Sequence, residues 1–123
     1  MKDPQRYLAL AVILDFVLVI LFAVIGRTSH REDLGVAGVV QTAWPFLVGT
    51  VVGWLATVGW RGPLSIVRTG LGVWAATVVI GMLLRLASGQ GIAAAFVIVA
   101  AVTLAVFLLG WRAVALLIVR RRA

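Results

Sequence analysis

The feature that most constrains this chain is a series of four long apolar runs. They cover about residues 7–25, 39–58, 69–87 and 92–111, and the last run reaches 119 if Arg112 lies within the same helix. Crossing a hydrocarbon core of roughly 30 Å takes about 20 helical residues at about 1.5 Å per residue. Each run is close to that length. The sequence therefore predicts an all-α, polytopic membrane protein with four transmembrane helices in a compact bundle.

Composition and the joints between the runs agree with this class. Apolar residues make up 63% of the 123 residues and charged residues 12%, against about 25% charged in a typical soluble domain. The joints GRTSHREDLG, GWRGPLSIVRTG and ASGQG are rich in glycine, serine or charge, as surface turns are. We therefore interpret residues 1–123 as a single integral membrane domain. The first run is too long for a signal peptide and contains Asp15, so we expect it to stay in the mature chain.

Several classes of function are disfavoured by what the sequence lacks. There is no cysteine and a single histidine, His30, which excludes a disulfide framework, a thiolate site and an all-histidine metal cage within one protomer. No nucleotide loop, G-x-S-x-G elbow or nucleophile–base pair is present. The net charge of +7 comes from basic residues at the ends of the apolar runs, which serves topology rather than nucleic-acid binding. We expect no cofactor, no metal, no catalytic residue and no nucleic-acid partner.

The distribution of Lys and Arg predicts the orientation in the membrane. If the N-terminus, the second joint and the C-terminus share one side, that side carries eight basic residues: Lys2, Arg6, Arg61, Arg68, Arg112, Arg120, Arg121 and Arg122. The opposite side carries three: Arg27, Arg31 and Arg85. We therefore expect a multi-pass plasma-membrane protein with both termini in the cytoplasm. Arg85, near the outer end of its span, is expected to extend to the headgroups.

Small residues predict where the helices approach one another. Thr42, Gly49 and Gly53 recur at helical spacing in the second run, and Gly70, Thr77 and Gly81 in the third. Such stripes allow close backbone contact between transmembrane helices. We expect the two faces to meet within one protomer, with a seam between two copies as the alternative. The five tryptophans fall mostly near the ends of the runs, where indole rings favour the headgroup zone.

Asp15 is a carboxylate in the middle of the first apolar run. A charged side chain at the centre of a bilayer costs about 3 kcal/mol on insertion scales and faces the bundle interior. Arg112 is its candidate counter-charge, because the two residues lie at similar depth when measured from Arg6 and Arg120. If the last helix continues through WRAVALLIV, Arg112 is an intramembrane cation. If the helix ends at Trp111, Arg112 instead marks the membrane surface.

The first joint holds the other concentration of polar groups. Arg27, Ser29, His30 and Arg31 form a candidate polar cluster at the outer mouth of the bundle. His30 can exchange protons near neutral pH, and the arginines can hold an anion or an anionic lipid headgroup. Alternatively, Ser29 and Glu32 form a capping box at the start of the next helix.

These polar residues also carry a resemblance. Asp15, the segment FAVIGRTSH at 22–30, TAWPFLVGTVVGW at 42–54 and GWR at 110–112 resemble a family of small bacterial and archaeal membrane proteins, the domain-of-unknown-function family 3054. The resemblance covers nearly the whole chain. It implies a four-helix membrane protein and supplies no activity, substrate or catalytic residue.

Two classes of function stay open. In the first, the protein is a small transporter or channel-like protein for protons, ions or a small solute, with Asp15 as its site. In the second, it is a non-catalytic structural or accessory subunit of a membrane complex, or binds a lipid or a quinone-like ligand between its helices. Membrane lipids are expected partners. A pathway through so small a bundle would need a homo-oligomer or a larger complex.

Overall fold

Four α-helices account for most of the residues that the structure describes. The computed structural model describes residues 7–29 and 34–122, and within these ranges the α-helices are α1 (Leu8–Ser29), α2 (Val36–Thr57), α3 (Leu71–Ala87) and α4 (Ala94–Arg122). Each span, with the helical turn that precedes α3 included, is long and apolar enough to cross a membrane. The prediction of an all-α membrane protein with four spanning helices is confirmed.

The helices pack as an antiparallel ring. Sequential neighbours are in contact, α2 and α3 most extensively, and α1 contacts α4 to close the bundle. We call the end that carries the turn at residues 88–93 the Gly89 end. The opposite end, which carries the connection at residues 58–70, is the Gly62 end. These names are used below for the two ends of the bundle.

Two rows of buried side chains form the seam between α1 and α4. Their members recur every fourth residue, as the ridges of packed helices do. The rows are Ala11, Asp15, Val19 and Ala23 on α1, and Ala100, Leu104, Leu108 and Arg112 on α4. Each row carries one ionisable residue, and the two ionisable residues meet across the seam. The other members of the two rows are apolar.

Glycines let α2 and α3 approach closely. A Cβ atom on Gly49 would lie 2.7 Å from the Ala76 carbonyl oxygen, and one on Gly53 would lie 2.8 Å from the Val73 Cα. Between these contacts the hydroxyls of Thr50 and Thr77 are 2.9 Å apart and share a hydrogen bond. Backbones this close gain dispersion energy and allow the short hydroxyl bond, which is how helices associate in lipid.

The remaining predicted packing residues lie in three different places. Gly81 of α3 faces the ring of Phe46 on α2, within the expected interface. Gly70 instead faces α4, because a Cβ atom there would lie 2.9 Å from Leu109. Thr42 lies on α2 but its hydroxyl accepts from Arg27 of α1. The polar and small residues therefore serve three helix contacts rather than one.

The connection at residues 58–70 folds over the Gly62 end. It starts with Val58 at φ 51°, a left-handed conformation that is costly for a β-branched residue. A 3₁₀ turn at Gly59–Arg61 and a π-helical turn at Ile66–Gly70 follow. Pro63, within this connection, is buried, and its carbonyl oxygen accepts a hydrogen bond from an interior side chain.

The first joint differs from one prediction. Ser29 is the last residue of α1, and the N-cap of α2 is Gly35, which makes no side-chain capping bond. The proposed capping box of Ser29 and Glu32 is therefore wrong, because α1 continues through the residue that was expected to cap α2. Glu32 itself lies outside the described residues.

Candidate functional site

A buried ion pair joins the first and the last helix. Arg112 Nη2 lies 2.7 Å from Asp15 Oδ2, and Arg112 Nη1 lies 2.9 Å from Asp15 Oδ1. Both side chains are 0% exposed. Two parallel N–H···O bonds of this kind combine charge with a fixed planar geometry. The pair is the strongest polar contact across the α1–α4 seam.

Two indoles complete the surroundings of the carboxylate. Trp54 of α2 donates its Nε1–H to Asp15 Oδ2 at 3.0 Å. Trp111 of α4 donates its Nε1–H to Asp15 Oδ1 at 2.8 Å. The two oxygens of a carboxylate offer about four acceptor positions, and four donors occupy them. A ligand or proton reaching Asp15 must displace one of these donors.

Arg112 is held as firmly as its partner. Its Nε–H donates to the Pro63 carbonyl oxygen at 3.0 Å, and Nη1 also donates to the Leu108 carbonyl oxygen at 2.9 Å. The guanidinium carbon lies 4.7 Å from the centre of the Trp111 ring, within the range of a cation–π contact. The connection over the Gly62 end therefore contacts the cation directly through Pro63.

The network ties together three of the four helices and one connection. Isolated buried charges cost several kcal/mol each, and only good geometry with further hydrogen bonds offsets that cost. Among the described residues, no buried side-chain nitrogen or oxygen lacks a hydrogen-bond partner. In this conformation the site is closed and fully satisfied. The arrangement holds α1, α2 and α4 in contact with one another.

The structure also decides where Arg112 lies. α4 runs unbroken to Arg122, so Arg112 is inside a continuous helix and residues 113–119 continue it. Trp54 is three residues before the end of α2, about 4.5 Å at the helical rise. Relative to α2, the ion pair therefore lies near the Gly62 end rather than at mid-depth.

The tryptophans behave differently from the sequence expectation. Trp54 is only 6% exposed and, like Trp111, turns its N–H toward Asp15. Trp74 of α3 donates to the Ala101 carbonyl oxygen of α4 at 2.9 Å. These three indoles serve as hydrogen-bond donors inside the bundle. From the sequence, these tryptophans were expected to lie in the headgroup zone. Their positions along the apolar runs gave the depth of each ring but not the face of the helix on which it lies.

A second candidate site is an open pocket at the Gly89 end. It has a volume of about 670 Å³ and lies between α1, α2, α3, the turn before α4 and the start of α4. Its polar lining comes from two arginines, two glutamines, a threonine and a serine, and its apolar lining includes two phenylalanine rings. The lining residues used below are Phe22, Arg27, Gln41, Thr42, Arg85, Gln90 and Phe96.

The two guanidinium groups are fixed to the pocket wall. Arg27 Nη1 donates to Thr42 Oγ1 at 2.9 Å. Arg85 donates to the Gly91 carbonyl oxygen at 3.1 Å and to Gln90 Oε1 at 3.2 Å, and it lies 4.4 Å from the centre of the Phe96 ring. Arg85 was expected to extend outward to the headgroups. Instead it folds back over the turn at residues 88–93, because that turn offers carbonyl acceptors.

The predicted outer cluster is described only in part. Arg27 lines the pocket, and Ser29 ends α1. His30 and Arg31 lie outside the described residues. Gln41, Gln90 and the phenylalanines were not singled out from the sequence. The available signal was that the polar turn ASGQG lies on the same predicted side of the membrane as the first joint.

An aromatic layer separates the two sites. The rings of Phe22 and Phe46 meet edge to face with centres 5.2 Å apart, and Phe96 lies 6.3 Å from each. Phe22 is seven residues from Asp15 on the same helix, about 10 Å at the helical rise. The pocket therefore ends at a packed apolar floor. The described residues contain no group of three His, Cys, Asp or Glu side chains suited to a metal ion.

Comparison with known proteins identifies the family. Residues 12–115 match the family described as "Protein of unknown function (DUF3054)". The chain belongs to this family. The match confirms the resemblance inferred from the sequence and spans both candidate sites. No significant match to a curated protein or to a solved structure was found.

Proposed function

We propose that this integral membrane protein binds an amphiphile with an anionic head group in the pocket at the Gly89 end. The observation that carries the proposal is the pairing of two wall-fixed guanidinium groups, Arg27 and Arg85, with a floor of Phe22 and Phe96 in one open cavity. Guanidinium forks match carboxylate and phosphate oxygens. The phenylalanine rings suit the first carbons of an apolar tail.

Size and surroundings support this ligand class. Pockets for small ligands typically hold about 300–1,000 Å³, and this one holds about 670 Å³. Gln41 and Thr42 add neutral hydrogen-bonding groups beside the cations. The pocket lies where spanning helices end, so a head group would meet water while its tail meets lipid or the aromatic floor. The charge count supports an orientation with this end outside the cell.

The buried ion pair has a different part in this proposal. It holds α1 against α4, the two helices that bring Phe22 and Phe96 to the pocket floor. Four donors already occupy the acceptor positions of the Asp15 carboxylate. In this proposal the ion pair therefore keeps the helices in place and does not bind a ligand. Loss of the pair should therefore weaken binding only through loss of the folded bundle.

Transport is the second candidate function. It is favoured by one observation: two fully buried charges lie about 10 Å beyond the pocket floor, on the helices α1 and α4 that also bear it. A solute crossing the protomer would have to part the three phenylalanine rings and break the ion pair. Proteoliposomes loaded with a pH-sensitive dye, or with labelled solute, measure this directly. A flux that Asp15→Asn abolishes in folded protein would favour transport over binding alone.

Binding is tested by calorimetry in phosphatidylcholine nanodiscs. Dodecyl phosphate is the probe, with inorganic phosphate and dodecanol as its two halves and empty nanodiscs as the blank. Hydrogen bonds to charged groups contribute about 1.5–3 kcal/mol each. Arg85→Gln and Arg27→Gln should therefore each weaken dodecyl phosphate binding by roughly 10- to 100-fold. Arg68→Gln, an exposed arginine at the Gly62 end, is the matched control and should change nothing.

The three probes separate the alternatives. Saturable binding of dodecyl phosphate with much weaker binding of inorganic phosphate supports an amphiphile site. Equal affinity for both anions would mean that a free anion is the ligand. If neither anion binds above the empty-nanodisc blank, or if Arg68→Gln weakens binding as much as Arg85→Gln does, the proposal is wrong.

A further inference from the structure

A second cavity lies at the opposite end of the bundle and is wholly apolar. It is a groove of about 430 Å³ between α1 and α2 with no polar lining surface. Leu8, Val12 and Phe16 form one wall at spacings of four residues, and Val51 and Leu55 form the other. The ring of Trp54 is its floor. Trp60, on the 3₁₀ turn after α2, closes the end that lies toward the membrane surface.

We propose that this groove binds one acyl chain of an anionic phospholipid from the leaflet at the Gly62 end. The wall from Leu8 to Phe16 is eight residues long, about 12 Å at the helical rise. One leaflet contributes roughly half of the 30 Å hydrocarbon core, about 15 Å. The groove thus follows the depth of one leaflet and ends where the head groups begin.

The dimensions of the groove suit a methylene chain. The groove offers about 430 Å³. A methylene chain is narrow enough to lie between the two rows of side chains. Its contact with Trp60 and Leu55, both exposed in the protein alone, would bury apolar surface on these side chains.

The charge comes from the residue that follows the groove. Arg61 is adjacent to Trp60 and exposed. A phospholipid whose tail lies in the groove would have its phosphate at the level of this turn, within reach of the Arg61 guanidinium. A basic residue near a membrane surface favours anionic over neutral lipid by about fivefold in affinity. In this proposal the groove retains the acyl chain, and Arg61 provides the preference for an anionic head group.

The site is coupled to the ion pair through Trp54. Trp54 lines the groove, and its indole N–H donates to Asp15 Oδ2 at 3.0 Å. A chain packed on the ring limits its motion and so supports the hydrogen bond. Lipid binding at the groove should therefore raise the thermal stability of the whole bundle.

Native mass spectrometry of the full chain tests the proposal. Delipidated protein in detergent is mixed with palmitoyl-oleoyl phosphatidylglycerol or with the matching phosphatidylcholine. Every protein in this test, the reference included, carries Arg85→Gln, which weakens anion binding in the pocket at the Gly89 end. We expect one strongly retained lipid, with phosphatidylglycerol preferred. Val12→Trp fills the groove and should reduce retention of either lipid by at least about tenfold, whereas Val102→Trp, on an exposed face of α4, should leave it unchanged. Circular dichroism checks that both variants fold.

Charge variants complete the test. Arg61→Gln should remove the preference for phosphatidylglycerol, about fivefold, while Arg120→Gln should keep it. Restoring Arg85 should add lipid binding in the pocket at the Gly89 end without changing the lipid retained in the groove, which separates the two sites. If Val12→Trp retains lipid as strongly as the protein without this substitution, the groove is not the binding site. An Arg61→Gln protein that still prefers phosphatidylglycerol would overturn the role of Arg61.

Discussion

Replacing Asp15 by asparagine is the sharpest perturbation of the buried network. Asparagine keeps the shape of the side chain but has one oxygen instead of two. Oδ1 accepts from Trp111 and from Arg112 Nη1, and Oδ2 accepts from Trp54 and from Arg112 Nη2. Whichever way the amide is turned, its NH₂ group therefore faces two donors. Two of the four hydrogen bonds are lost, and Arg112 keeps a buried charge without a counter-charge.

The expected loss follows from these two bonds. Hydrogen bonds to charged groups contribute about 1.5–3 kcal/mol each, and breaking one partner of a buried ion pair costs about 3–5 kcal/mol. Interhelical hydrogen bonds measured in membranes are weaker, about 0.6 kcal/mol on average and about 1.7 at most. Taking the upper membrane value for each of two lost bonds, we expect Asp15→Asn to lower the free energy of unfolding by about 3 kcal/mol.

The assay is reversible unfolding in mixed micelles as the fraction of sodium dodecyl sulfate rises, followed by circular dichroism. Four proteins are compared: unaltered, Asp15→Asn, Arg112→Gln and the double variant, which form a double-mutant cycle. The double variant should lose at least about 1.5 kcal/mol less than the sum of the single losses, because it leaves no unpaired buried charge. Thr28→Val, whose exposed hydroxyl bonds only its own helix, is the control. Additive single losses would refute the reasoning that the two side chains act as a pair.

Three further predictions use the same unfolding assay. Gly49→Ala should lower the free energy of unfolding by more than about 2 kcal/mol, because its Cβ would lie 2.7 Å from the Ala76 carbonyl oxygen. Gly26→Ala, with nothing within 4 Å of its Cβ, is the control and should stabilise α1 by up to about 1 kcal/mol. Equal effects of the two substitutions would contradict the close α2–α3 contact. Trp54→Phe should cost about 1–2 kcal/mol, since it removes one donor to a charged acceptor, and no loss would show that the indole bond is dispensable. Val58→Gly should stabilise by about 1 kcal/mol because it relieves the left-handed φ of 51°, and a lower stability would show that the valine side chain matters more than the backbone.

The fold could be predicted from the sequence because the thickness of the hydrocarbon core sets the length of a spanning helix. Four runs near 20 apolar residues, separated by joints rich in glycine, serine or charge, leave little choice of architecture. The pairing of Asp15 with Arg112 was harder to foresee. It depends on whether α4 continues past Trp111, and the apolar residues on both sides of Arg112 fit a spanning helix and a surface helix equally well.

The hydrogen-bond partners could not be predicted for a different reason. α4 is apolar on all sides, so no stripe marks the face that Trp111 or Arg112 shares with the bundle. Pro63 reaches Arg112 through a backbone carbonyl, which any residue type could supply. The left-handed Val58 that starts this connection breaks the usual preference for glycine. Residue identity therefore predicted the charges but not the groups that surround them.

The span between Asp15 and Arg112 has a consequence for biogenesis. The two residues are 97 positions apart, and ribosomes add about 5–20 residues per second. Asp15 is consequently synthesised about 5–20 s before its cation. Throughout that interval the first helix must enter the translocon or bilayer with an unmatched acid. A chain truncated before residue 94 would keep α1, α2 and α3 but would lack the counter-charge of Asp15.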